Sequence, residues 1–262
     1  MPIHCDLPIK SISQAEFGEL DYSVMSHVFD TQNDIGRLAQ EHIYQNDLRL
    51  RLLSAGISCD CEVAIRLTHK DYAKQLFLDL VASRRGVYEL KSVTSLTKEH
   101  EAQLLTYLYL LGLHHGKLVN FRTPKVELRF VNATIPHKER IGFSACTEEY
   151  TGPAFLRDCI VDLLRDWGTC LTLSLYLDAV VHLLGGIDKV ERLLPLCRSG
   201  NELGSQLFHI INSDEAIHLT AFSDVNEAYD AQVNRLLSLS PLRAIHRVNI
   251  AAHRVTFRTV AI

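Results

Sequence analysis

No run of eighteen apolar residues passes through this 262-residue chain, and it has neither a low-complexity tract nor a leader-like segment. A membrane-spanning helix and a secretory signal are therefore not expected. Basic residues do not dominate either. With 27 Lys and Arg against 31 Asp and Glu the net charge is −4, which argues against a surface coated for indiscriminate nucleic-acid binding but leaves room for a local basic groove. The seven cysteines form an odd set without framework spacing, which points to a reducing cytoplasm. Cys59-Asp60-Cys61 has one intervening residue, which suits neither a zinc ribbon nor a Cys-x-x-Cys redox pair, so these read as structural thiols. A hydrophobic content of 47% can fill one large core or two ordinary ones.

What the chain does have is concentrated in one stretch. Phe77-Leu78-Asp79-Leu80-Val81 and Val87-Tyr88-Glu89-Leu90-Lys91-Ser92-Val93 are short and apolar, and Ser83-Arg84-Arg85-Gly86 between them is turn chemistry, so the segment reads as a hairpin. Side chains alternate along a strand, which puts Glu89 and Lys91 on one face and sends Tyr88 and Leu90 to the other. If Asp79 faces the same way as Glu89, two carboxylates and an ammonium meet on one sheet surface. Charges inside apolar strands are costly unless they are paired or bind a metal, and that cost is the physical reason to suspect function.

Helical patterns flank the hairpin. Residues 34 to 55 read as one long helix closed by Gly56, with Glu41, Tyr44, Leu48 and Leu52 on one face. After the hairpin, Thr97 is a natural N-cap, with Glu99 and Glu101 in the first turn, where the helix dipole favours negative charge. Gln103 and Tyr107, four apart, share one edge of this helix, which runs to Gly112. His100 precedes that edge and is placed no closer than behind the site, and His114-His115 reads as a helix-end or solvent-facing pair. A second strand pair follows in residues 116–121 and 126–131.

This order of elements resembles the PD-(D/E)XK nuclease superfamily: a helix with Glu41-x-x-Tyr44, a strand with Asp79, a strand with Glu89-x-Lys91, then a helix with Gln103-x-x-x-Tyr107. More narrowly it is similar to the bacterial GxxExxY proteins of that superfamily, over about residues 22–131. Leu78 stands where the superfamily's name has proline, and Leu38 where the narrower name has glycine. The resemblance implies an α/β, restriction-endonuclease-like mixed sheet flanked by helices. It implies a phosphodiester hydrolase acting on DNA, with Mg²⁺ or Mn²⁺ held by Asp79 and Glu89, and with Glu41 serving a second ion directly or through water. Lys91 would orient water and stabilise transition-state charge, and Gln103 and Tyr107 would orient the phosphate or Lys91. An iron-sulfur cluster, carried by some members, is not expected, because Cys5, Cys146, Cys159, Cys170 and Cys197 show no local grouping. Phosphate contacts are expected from Arg84 and Arg85 at the hairpin tip and from Lys117, Arg122, Lys125 and Arg129 around the second strand pair.

The chain is about twice the length such a domain requires, and it contains a reason. Gln103 and Asn120 recur as Gln232 and Asn249 under one shift (232 − 103 = 129; 249 − 120 = 129). The same shift superposes Gly56 on Gly185, Leu90 on Leu219 and Arg129 on Arg258 without a gap. Two tandem copies are expected: residues 1–143 as the nuclease-like domain and residues 144–262 as a degenerate repeat. Strands are predicted over 217–221, 248–250 and 255–257, with Gln232 on a helix. The chemistry does not carry over, since Glu41 falls on Cys170, Asp79 on Phe208, Glu89 on His218, Lys91 on Thr220 and Tyr107 on Leu236. Three functions compete: a metal-dependent nuclease, a catalytically silent nucleic-acid-binding or regulatory module, and a scaffold whose halves pack as an intramolecular pseudo-dimer.

Overall fold

A computed structural model of the chain describes residues 3–223 and 227–262. The chain forms two compact units, Met1–His137 and Lys138–Ile262. The first contains β1 (Ile3–Cys5), α1 (Gln14–Ile35), α2 (Glu41–Ser54), β2 (Cys59–His69), β3 (Tyr72–Ala82), β4 (Gly86–Lys91), α3 (Lys98–Leu111), β5 (His115–Asn120) and β6 (Glu127–Asn132). At the division lies the short α4 (His137–Ile141). The second unit continues with β7 (Ser144–Glu149), α5 (Ala154–Trp167), α6 (Leu173–Leu183), α7 (Ile187–Val190), β8 (Glu191–Arg198), β9 (Asn201–Ile210), β10 (Glu215–Thr220), α8 (Glu227–Leu237), β11 (Ala244–Ile250) and β12 (Arg254–Ala261). Among the described residues no helix is long and apolar enough to cross a membrane.

In the first unit the strands lie in chain order, β1-β2-β3-β4-β5-β6. Only β4 and β5 are parallel, joined through α3, and both are buried on their two faces, as a central parallel pair must be. Tyr88 and Leu90 point into a core built with Phe17, Val24, Tyr44 and Leu48 of α1 and α2. The opposite face of β4 carries Val87, Glu89 and Lys91. On that face α3 comes so close to β5 that a Cβ at Gly116 would lie 3.2 Å from Leu104 and 3.3 Å from Leu108.

The single helix expected over residues 34 to 55 is two helices. Gly36, at φ 78°, stops α1, and Glu41 becomes the first residue of α2. Tyr44 secures the break: its hydroxyl donates to the Gly36 carbonyl at 2.9 Å and accepts from the Ala39 N–H at 3.1 Å. The ring stacks on Phe121 at 4.5 Å and 4°. α1 itself starts at Ser13, whose side chain caps Glu16 N while Glu16 returns a bond to Ser13 N, the reciprocal pattern that fixes a helix start.

In the second unit the order is β8-β9-β10-β11-β12-β7. Five strands follow the sequence of β2 to β6, and the sixth is added at the opposite border: β1 lies beside β2, whereas β7 lies parallel to β12. The strand predicted over 217–221 is Glu215–Thr220, and those predicted over 248–250 and 255–257 fall inside β11 and β12. The registers of β4 with β5 and of β5 with β6 recur under the shift of 129 in β10, β11 and β12. Val87 faces Gly116 as Ala216 faces Ile245, and Asn120 faces Glu127 as Asn249 faces Thr256.

Polar contacts recur as well. Asn120 accepts from Val93 N and donates to Val93 O, and Asn249 does the same with Phe222, the residue 129 further on. Arg129 pairs with Glu101, and Arg258 with Asp230. The helices follow a different offset. Tyr176 bonds Gly168 O and Leu171 N as Tyr44 bonds Gly36 and Ala39, so here the shift is 132 (176 − 44, 168 − 36). The position corresponding to Glu41 is thus Leu173 and not Cys170, because the chain after α6 is three residues shorter than the chain after α2.

Candidate active site

Asp79 sits where β3 leaves its pairing with β4, one residue before the Leu80–Tyr88 pair, and so faces Glu89 across the strands. Its Oδ2 accepts from Leu90 N at 2.7 Å, which fixes the carboxylate over the end of β4. Lys91 Nζ lies 2.6 Å from Glu89 Oε1 and 3.7 Å from Asp79 Oδ2. The three charged groups therefore meet on one face. Their side chains differ in access: Glu89 is 1% exposed, Lys91 12% and Asp79 17%.

Electrostatics follows from that burial. Desolvation, then the charge of Asp79, pushes the Glu89 carboxyl up to about 8, with Lys91 opposing. Desolvation also pushes Asp79 up to about 6, moderated by Lys91 and by the Leu90 N–H. Lys91 is opposed by desolvation, yet Glu89 and Asp79 together raise it above the usual lysine value, so it stays an ammonium. Glu41, half-buried at the first position of α2, adds a negative charge that acts on all three. On α3, Gln103 Nε2 donates to the Tyr107 hydroxyl at 3.0 Å. Burial, then Glu89, pushes the Tyr107 phenol up to about 12.

Two residues at this site carry no signal in the sequence. Gln45 is buried on α2 and donates to the Asp79 carbonyl at 2.8 Å and to Glu62 Oε1 at 2.6 Å. Glu62 lies across from Asp79 in β2 with φ 51°, a left-handed conformation uncommon for glutamate and typical of strained functional positions. His100 has a different task, since its Nδ1 accepts from Thr97 N at 3.0 Å at the start of α3.

The basic residues do not form one group. Lys117 is 5% exposed, its ammonium held against Asp21 and over the Phe130 ring at 4.6 Å. The expectation that it contacts phosphate is corrected: Lys117 is opposite Tyr88 in the register and shares its face, directed into the core under α1. Arg122 and Lys125 are exposed in the turn after β5, whose last residue, Asn120, pairs with Lys91. Arg84 and Arg85 are exposed before Gly86, at the other end of β4. Arg129 is engaged with Glu101 and Glu127.

Among the described residues no three His, Cys, Asp or Glu side chains form a ready-made metal cage. The donor set nonetheless fits a hard divalent ion that keeps most of its water, because it offers two carboxylates and a Glu89 Oε2 that is buried without a hydrogen-bond partner. Asp79 and Glu89 are the residues that would hold it.

Residues 18–131, which lie within the first unit, match the family model described as PD-(D/E)XK nuclease superfamily. Both six-stranded mixed sheets with their flanking helices are consistent with a restriction-endonuclease-like fold. Neither curated proteins nor solved structures give a significant match to the chain. The superfamily's activity is metal-dependent nucleic-acid cleavage, and divalent Mg²⁺ or Mn²⁺ is its general cofactor.

A pH dependence follows for the metal-free protein. The folded value of Glu89 lies above the roughly 4.3 of an unfolded glutamate, so between the two the folded state holds the extra proton. The stability this group contributes is complete below the unfolded value and is lost as pH rises through about 8. Urea unfolding in EDTA from pH 5 to pH 8.5 should show wild-type stability falling by up to about 1.4 kcal/mol per pH unit. Glu89→Gln should flatten that slope. Equal slopes in both proteins would mean that Glu89 is ionised throughout.

Proposed function

We propose that the first unit is a metal-dependent nuclease acting on DNA, with Asp79 and Glu89 as ligands of Mg²⁺ or Mn²⁺. The observation that carries this reading is the convergence of Asp79, Glu89 and Lys91 on one face, with the buried Glu89 Oε2 unpartnered. Bound there, such an ion supplies Lewis acidity toward a phosphate oxygen and toward water. The rest of the chemistry belongs to this chain. Lys91, held as an ammonium, presents positive charge to the phosphate oxygens as they gain negative charge. Glu41 adds a carboxylate at the helix end for a second ion or a water, and Gln103 and Tyr107, bonded to each other, orient the scissile phosphate or Lys91. Arg122 and Lys125, at the Lys91 end of the sheet, contact the DNA backbone.

The second unit is read as a degenerate copy of the first. Phe208, His218 and Thr220 replace Asp79, Glu89 and Lys91, and without those carboxylates the unit binds no catalytic metal. Incubation of the purified protein with labelled linear, circular, single-stranded and duplex DNA in Mg²⁺, Mn²⁺ or EDTA tests the assignment. Cleavage with either ion and none in EDTA is expected. Intact substrates under all conditions, together with salt-dependent DNA binding, would replace it with a silent binding module.

A further inference from the structure

We propose that the second unit contains a binding pocket for a single unpaired nucleobase, formed where the first unit carries its candidate active site. A cavity of about 200 Å³ opens between β9, β10 and α8. The positions corresponding to Asp79, Glu89, Gln103 and Tyr107 are Phe208, His218, Gln232 and Leu236, and all four line it. The site has therefore exchanged its carboxylates for an apolar and aromatic wall while keeping an opening.

The chemistry of that wall selects the ligand. Among the described residues no Asp, Glu, Lys or Arg lines the cavity, so a charged group inside it would find no counter-ion among them. Burial, then the charges of Arg247 and His209, lowers His218 below the usual histidine value and keeps the imidazole neutral, in line with a neutral ligand. Phe208, His218 and Tyr229 bring aromatic rings to its wall. The last two are stacked on each other at 5.8 Å and 12°, with the Tyr229 hydroxyl 2.5 Å from His218 Nε2. Gln206 and Gln232 bring primary amides, each a planar donor and acceptor pair that matches the edge of a base. The volume is below the roughly 300–1,000 Å³ of drug-sized sites and suits one ring system. Stacking on aromatic side chains with edge hydrogen bonds is how proteins hold a base out of a duplex or along a single strand. The choice of nucleobase among neutral heteroaromatics rests on the reading of the first unit as acting on nucleic acid; the pocket itself does not.

Titration of the full chain with each of the four deoxynucleosides in EDTA, followed by calorimetry, tests this without any turnover, so failure here and failure of cleavage are separate results. Saturable binding of at least one nucleoside is expected, with a dissociation constant on the order of 0.1–1 mM. Leu236→Trp, which fills the cavity with an indole, should weaken binding at least about tenfold. Gln232→Leu alters only an exposed side chain, so its fold is secure even if the tryptophan variant fails to fold, and it should change the ranking among the four bases. The proposal is overturned by the absence of saturable binding up to about 10 mM, by wild-type affinity and ranking in the folded variants, or by phenol binding as tightly as the best nucleoside.

Discussion

Alanine at Lys91 is expected to lower single-turnover cleavage of DNA by roughly 10²–10⁴-fold at saturating metal and substrate, with little change in substrate affinity. The reason is geometric. Lys91 is the ammonium within 4 Å of both Asp79 and Glu89, so it is the positive group placed at the point where charge would accumulate. A thousandfold loss corresponds to about 4 kcal/mol of transition-state stabilisation. Glu89→Ala should lose at least as much, and part of its loss should appear as a higher metal requirement, because a carboxylate ligand goes with it. Removing Lys91 also leaves two buried carboxylates without their counter-ion, so each variant has to be shown folded before its rate is read. Folded variants that cleave within about threefold of wild type would move any activity to another part of the chain.

Asn120→Ala should destabilise the first unit by about 2–4 kcal/mol, and Asn249→Ala the second by a similar amount. Asn120 is fully buried and bonds Val93 N at 3.0 Å, Val93 O at 2.9 Å, Glu127 at 3.0 Å and Arg122 N at 3.2 Å. Asn249 bonds Phe222 N at 2.8 Å, Phe222 O at 3.0 Å and Thr220 Oγ1 at 2.9 Å. Alanine supplies neither amide group, and the backbone donor and acceptor of the half-buried residue leaving the strand lose these partners. In the first unit that segment follows Lys91 directly, so Asn120→Ala should also depress cleavage. Two units need two probes. Trp167, the single tryptophan, belongs to α5 and reports the second unit, while circular dichroism follows both. Midpoint changes equivalent to less than about 0.5 kcal/mol would show that the recurrent asparagine bridge is incidental.

Much of the site was legible because its logic is local. Alternation along Val87 to Lys91 and a turn at Ser83 to Gly86 suffice to put Asp79, Glu89 and Lys91 on one face, and the spacing of Gln103 and Tyr107 suffices to pair them on a helix edge. The same alternation, applied to β5, would have shown Lys117 sharing the inward face of Tyr88; treating the charge as a surface feature obscured it. The break between α1 and α2 escaped because Gly36 is held by Tyr44, and that ring is held by Phe121, a contact no local pattern contains. Gln45 and Glu62 escaped for the same reason, since the bonds of Gln45 to the Asp79 carbonyl and to Glu62 exist only once α2, β2 and β3 are assembled. The second unit was readable through Gln232 and Asn249, which keep one spacing. The offset of 132 in the helices was not, because it is carried only by a glycine and a tyrosine inside otherwise divergent helices.

The different placement of β1 and β7 bears on solubility. In the first sheet β1 covers the outer side of β2, but β8 ends the second sheet with no such cover among the described residues. A bare strand of this kind is a template on which another extended chain can assemble. The residues of β8 work against that outcome. Pro195 offers no N–H, the register slips between Leu196 and Cys197, and the Cys197 N–H is already given to Leu239 O at 2.7 Å. An incoming strand would find an interrupted ladder, which lets Leu193 stand 70% exposed on this ribbon without the strand nucleating fibrous aggregates.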